Sequence, residues 1–212
     1  MQTHRYNTLS HTLSAFLLFF LSPPLLSCAA APATQQDLLL RSSCAQARYP
    51  NLCVQTLSNS AGPAMKPLDL AQAAVRVSLA HARTLSGYLK NLQLQAKSGS
   101  SNWQRGAVSD CVAQISDSVN ELSNTLNELQ HLQMGKFEWH MSNAQTWIST
   151  AMTDGQSCLN GFKDGNVEGK LKLDVNRRVT GVAMLTSNAL YLINRLGASR
   201  NGKPRSNSKT HF

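Results

Sequence analysis

The chain carries five cysteines, six histidines and eleven carboxylates, and these are the side chains from which chemistry would have to come. Glu128-Leu129-Gln130-His131 is the pattern closest to a metal site. Helical bundles hold di-iron with two such Glu-x-x-His pairs and two further glutamates. No second pair occurs, and residues 68–97 contain no Glu. Glu128 and His131 therefore read as a solvated i,i+3 pair on a helix surface. No His-Glu-x-x-His, Gly-x-Ser-x-Gly, Walker loop or Gly-x-Gly-x-x-Gly is found. The sequence assigns no catalytic residue, no metal and no cofactor.

The cysteines point instead to an oxidising compartment. Arg5 precedes the apolar run Leu13 to Leu26, which small residues from Ser27 to Ala31 follow. A positive start, a short apolar core and an Ala-x-Ala-like end predict a secretory leader over 1–30, cut near Ala30 or Ala33. The run is too short to span a bilayer, and Pro23-Pro24 interrupts it. Removal of Cys28 would leave Cys44, Cys53, Cys111 and Cys158. An even number of exported cysteines predicts two disulfides. Three pairings are open. The short Cys44–Cys53 spacing favours a local bridge, which would leave Cys111 with Cys158. No Cys-x-x-Cys or His-x-x-x-His spacing supports zinc.

The elements that would position these residues are helices. The chain has 212 residues, 42% hydrophobic and only 15% charged, enough apolar content for one packed domain. Aromatics at 6% and few Gly and Pro argue against an all-β domain. Apolar residues recur at steps of three and four over 68–97, 107–132, 141–162 and 174–197. Asp174 is placed to cap the last of these and Gly197 to end it. Gly62-Pro63, Ser98-Gly99-Ser100-Ser101, Met134-Gly135 and Gly161 to Gly169 mark the breaks. The expected fold is all-α: an up-down-up-down four-helix bundle over 66–198. Residues 35–58 read as an α-hairpin stapled by Cys44 and Cys53. Pro50 biases Tyr49 away from helix, so the chain should turn there.

Residues 199–212 hold Arg200, Lys203, Arg205 and Lys209 and no acid, and read as a basic disordered tail. Without the leader, 19 bases face 11 acids, a balance of about +8. Such charge suits electrostatic contact with a polyanionic matrix. Nucleic acid is a poor fit, because the bases are dispersed and the chain is expected to be exported. No Asn-x-Ser/Thr sequon occurs.

Three polar stretches exceed what helix packing requires. Asp117, Asn120 or Glu121, and Asn124 fall on one helix face. Ser142 to Thr146 leads into Trp147, and Gln156 to Phe162 surrounds Cys158. Small uncharged side chains on rigid helices suit a docking face, because little rotamer entropy is lost there.

At these residues the chain resembles a known family. Cys44-Ala-Gln-Ala-Arg-Tyr-Pro-Asn-Leu-Cys53, Asp110-Cys111 with VAQISDSVNELSNTLNEL after it, and MSNAQTWISTAMTDGQSCLNGF from Met141 are similar to the plant invertase and pectin methylesterase inhibitors. So is Leu185-Thr-Ser-Asn-Ala-Leu190. The resemblance covers about 35–197 and is strongest to the esterase-directed branch. It implies a four-helix bundle with an N-terminal hairpin, bridged Cys44–Cys53 and Cys111–Cys158, and no catalysis. It implies a secreted protein of the plant apoplast and cell wall, binding a pectin methylesterase one-to-one over its cleft. Carried over, the binding residues would be Asp117, Asn120, Glu121, Thr146, Ser149, Ser157 and Asn160.

This chain departs from the family pattern in places. Ala113, Asn120 and Asn160 stand where many relatives carry acids, which would weaken attraction to a basic esterase. Invertase-directed relatives carry Pro-Lys-Phe before the fourth-cysteine helix. Here Gly135, Lys136 and Phe137 stand there, an alternative site for acid invertase with a looser loop. A non-inhibitory pectin-binding wall protein is the remaining alternative.

Overall fold

Thr34 opens the first helix. Its hydroxyl accepts from the Asp37 N–H at 3.2 Å, and the Asp37 carboxylate accepts from the Thr34 N–H at 3.2 Å. This reciprocal cap satisfies two amides at the helix start. Helix α1 (Gln35–Cys44) and helix α2 (Pro50–Ser58) then form the hairpin. Pro50 sits in the first turn of α2, where its missing N–H costs nothing, and Tyr49 before it is non-helical. The Cys44–Cys53 disulfide ties the arms with Cα atoms 5.7 Å apart. The computed structural model describes residues 34–60, 66–95, 100–163 and 169–200. The predicted leader lies outside them, as does the predicted tail beyond Arg200.

Four long helices follow: α3 (Pro67–Gln95), α4 (Asn102–Gln130), α5 (Phe137–Gly161) and α6 (Gly169–Arg200). A 3₁₀ turn, Met134–Lys136, leads into α5. α3 packs on α4 and α6, and α5 packs on α4 and α6, so the helices stand in ring order. Two opposite pairs result, α4–α5 and α3–α6. Their inner stripes meet in one core. It includes Val75, Leu79 and Leu89 of α3, Ile115, Leu122 and Leu129 of α4, Ile148 of α5, and Val175, Val179 and Ile193 of α6. These are the three- and four-step apolar positions of the sequence, each stripe covered by its neighbours. A second disulfide, Cys111–Cys158, joins α4 to α5 with Cα atoms 4.3 Å apart. Among the described residues no helix is long and apolar enough to cross a membrane.

The hairpin is held to α6 by polar side chains. Buried Asn188 accepts from the Tyr49 N–H at 3.1 Å and donates to the Tyr49 carbonyl at 2.9 Å. Arg195 donates to the carbonyls of Ser42 and Ser43 at 2.8 and 3.0 Å. Tyr49 precedes α2: its carbonyl also accepts from the Cys53 N–H at 2.9 Å, whereas its N–H lies outside the helical bonding. Asn188→Ala leaves the Tyr49 N–H unpaired in a part-buried place, and the expected loss is about 1–3 kcal/mol. Urea denaturation checks this. A loss near zero would mean water replaces the amide.

Helix ends differ from the sequence reading. α6 begins at Gly169, before the expected 174, and runs through Gly197 to Arg200. Asp174 is therefore not a cap. Its carboxylate accepts from the Tyr88 hydroxyl of α3, from Arg177 at 2.5 Å and from Arg178 at 3.1 Å. Burial and Asp174 raise the Tyr88 pKa, while its bonds hold the Asp174 carboxyl at about 2. Gly197 does not end the helix. A Cβ there would lie 3.4 Å from the Met141 methyl of α5, an ordinary contact, so the helix runs through this position as it would through alanine. The first two residues of the predicted tail, Ser199 and Arg200, are helical.

Candidate functional site

The register of α4 against α5 is fixed at three levels. Cys111 bonds Cys158, the Ser118 hydroxyl donates to the Ala151 carbonyl at 3.2 Å, and Glu128 meets His140 and Asn143. The helices are antiparallel, so the polar stretches after the third cysteine and before the fourth lie at the same level of the bundle. Asp117 and Asn120 are exposed on α4, and Glu121 is half-buried. Thr146 and Ser149 are exposed on α5 and line a shallow, open depression of about 530 Å³ with Ser142, Gln145, Thr150 and Thr153.

The hydroxyls of this depression have a definite polarity. Thr146, Ser149, Thr150 and Thr153 each donate to the carbonyl four residues back, at 2.7–3.2 Å. Their protons are used within the helix, and their lone pairs face outward. The surface is thus rich in acceptors. Carboxylates extend it, since Asp154 of α5 lies against Asp117 and Glu121 of α4. Glu121 Oε2 and Asp154 Oδ2 are both buried without a partner among the described residues. Burial pushes the Asp154 carboxyl up to about 6, with the charges of Asp117 and Glu121 adding to it. Burial, then Asp117, also raises Glu121. A partner suited to this face brings N–H donors and positive charge.

The sequence reading did not single out Asp154. It did select Thr146 and Ser149, but not the whole Ser142, Thr146, Ser149, Thr153 stripe. The 4-3-4 spacing of that stripe is itself a readable helix-face signal. Ser157 and Asn160 are exposed towards the end of α5, outside the depression. Asn160 Oδ1 already accepts from Gln156 and Lys163, both at 3.0 Å. Gly135 and Lys136 are exposed in the 3₁₀ turn, whereas Phe137 is only 7% exposed.

Glu128 and His131 do not form the expected pair. Glu128 reaches across to α5, where His140 Nδ1 lies at 2.6 Å and Asn143 donates at 3.1 Å. His131 Nδ1 instead lies 2.9 Å from the Asn127 carbonyl. For Glu128, a part-buried histidine on the neighbouring helix outcompetes one that an exposed i,i+3 geometry would share with water. Among the described residues no group of three His, Cys, Asp or Glu side chains is placed to hold a metal ion.

Asp154 makes stability depend on pH. A carboxyl raised in the folded state holds its proton more tightly there. Its contribution is full below the unfolded value of 3.8 and is lost as pH rises through about 6. The residue as a whole is only half-buried, and solvent screening reduces the effect to about 1 kcal/mol. Asp154→Asn should flatten this fall between pH 4 and pH 7 and raise stability at pH 7. Urea midpoints at the two values check it. An unchanged pH slope would place the dependence elsewhere.

Known proteins resemble this chain in sequence and in fold. The family described as "Plant invertase/pectin methylesterase inhibitor" matches residues 38–192. The chain is 46% identical to "Pectinesterase inhibitor 3" of Arabidopsis thaliana over 173 residues, 78% of this chain and 82% of that one. It is 35% identical to the "21 kDa protein" of Daucus carota, covering 80% and 89%. A crystal structure of a mutant pectin methylesterase inhibitor from Arabidopsis superposes with a TM-score of 0.56 at 17% identity, over 71% of this chain and 92% of that one, and supports the fold. The chain belongs to the plant invertase/pectin methylesterase inhibitor family of non-enzymatic proteins.

Proposed function

We propose that this protein is exported to the plant cell wall and binds a pectin methylesterase one-to-one through the α4–α5 face. The observation that carries this reading is the acceptor-rich depression at Thr146 and Ser149 of α5, together with the mutually interacting carboxylates Asp117, Glu121 and Asp154 of α4 and α5. It offers little entropy cost and a charge sign that fits a basic enzyme surface. The 46% identical relative named a pectinesterase inhibitor supports the choice of target. Ser157 and Asn160 would extend the footprint along α5, and Asn120 would extend it along α4.

Acid invertase is the weaker target. In the motif that would serve it, the Phe137 side chain is packed into the core, which leaves only Gly135 and Lys136 to make contact. A paired titration decides between the enzymes. The oxidised protein is added to a plant pectin methylesterase and to a plant acid invertase, near pH 5 and pH 7. Stoichiometric loss of esterase activity alone is expected. Loss of invertase activity alone would move the site to Gly135, Lys136 and Phe137. No effect on either enzyme would overturn the inhibitor reading.

A further inference from the structure

The opposite pair, α3–α6, carries a second surface feature. A depression of about 880 Å³ opens between Tyr88 of α3 and the start of α6. Lys170, Leu173, Asp174 and Arg177 line it at i, i+3, i+4 and i+7, one face of the helix, with Asn176 beside them. The lone acid here, Asp174, is already engaged by Tyr88, Arg177 and Arg178. The Arg178 guanidinium also covers the Tyr88 ring, 4.1 Å from its centroid. The Arg177 side chain nonetheless stays 77% exposed and spends one of its donors on Asp174. Lys170 is exposed and has no partner among the described residues. Lys172 and Lys163 stand next to each other at the same edge, where Lys172 Nζ donates to the Lys163 carbonyl at 3.3 Å.

Leu173, 72% exposed, lies between the two cations Lys170 and Arg177. The cations are two helical turns apart, about 10 Å along the axis. An apolar platform between spaced cations, with an amide alongside, matches a ligand that alternates C–H faces, hydroxyls and carboxylates. We propose that this α3–α6 depression binds a polyuronate chain, its carboxylates on Lys170 and Arg177 and a sugar face on Leu173. Phosphate groups would suit the cations but would leave Leu173 uncovered, and a neutral glycan would leave the cations unused. Along the sequence from 163 to 178, Lys163, Lys170, Lys172, Arg177 and Arg178 outnumber Asp164, Glu168 and Asp174. Because the α3–α6 pair is opposite α4–α5 in the bundle, a bound polyuronate leaves the proposed esterase face open. The inference does not depend on the esterase reading.

The test titrates an unesterified oligogalacturonate into the oxidised full chain by calorimetry at low salt. Lys170→Gln with Arg177→Gln should weaken binding about tenfold. Lys170→Gln alone, which breaks no internal bond, should weaken it about threefold. The tail variant Lys203→Gln, Arg205→Gln, Lys209→Gln should change it less than either. The pair Arg76→Gln and Arg83→Gln, at the same i,i+7 spacing on exposed positions of α3, should leave it unchanged. A fully methyl-esterified oligomer should not bind. Esterase inhibition should survive the Lys170 and Arg177 changes. Any of three results would overturn the proposal: no binding, loss with the tail variant alone, or equal loss with the Arg76 and Arg83 pair.

Discussion

Arginine in place of Ser149 should weaken esterase inhibition by about 100-fold or more while the protein stays folded. Ser149 is exposed within the α5 depression, and its hydroxyl is spent on the Gln145 carbonyl at 2.7 Å. Its side chain therefore leaves room for a partner. Arginine fills that room and places a cation where the face otherwise offers lone pairs and carboxylates. A donor-bearing partner then meets both a steric block and a like charge. The helix itself should accept the change, since arginine is a better helix former than serine and the position is exposed. Thr84→Arg is the matched control, an exposed residue on α3. It should leave inhibition intact. Inhibition constants with thermal melts check both, and full inhibition by Ser149→Arg would remove this face from the site.

The second large effect concerns stability. Replacing Cys111 and Cys158 together by alanine should cost about 4 kcal/mol, and replacing Cys44 and Cys53 about 2.5 kcal/mol, from loop-closure entropy. The difference follows from the sequence separations of 47 and 9 residues. A domain of this size has only about 5–15 kcal/mol in total, so the first loss is a large share. It also falls on the site, because the bond fixes the register in which Asp154 meets Asp117 and Glu121. Urea denaturation of the two variants gives the comparison. An equal or reversed ranking would show that native packing, not the closed loop, sets the contribution of each bond.

The bundle was legible because its signal is local and repeated. Leu79, Ile115, Leu122 and Val179 each belong to a stripe at helical spacing, and all are buried. Pro50 also revealed the turn at Tyr49. The start of α6 was obscured because Lys170 to Asp174 alternates polar and apolar residues, a period-two pattern in a segment that is helical. Asp174 looked like a cap from its neighbours alone. Its partners Arg177 and Arg178 are local, but Tyr88 lies 86 residues earlier, beyond the reach of any local rule.

The candidate site was legible in part for the same reason. Thr146 and Ser149 stood out by type and spacing, and the structure brings them into one depression. Asp154 read as an ordinary surface acid on its own helix. Its raised pKa comes from burial and from carboxylates on α4, so only the α4–α5 packing exposes its character. Glu128 was misassigned in the same way, because His140 outweighs His131 only once α5 folds back along α4.

Hydrogen exchange of the oxidised protein, alone and with an equimolar plant pectin methylesterase, tests the central claim most directly. In the expected complex, residues 114–124 of α4 and 146–160 of α5 gain protection, while exposed amides along α3 and the start of α6 exchange as before. Absence of a complex, or new protection confined to the 3₁₀ turn around Lys136 or to the α3–α6 pair, would contradict it.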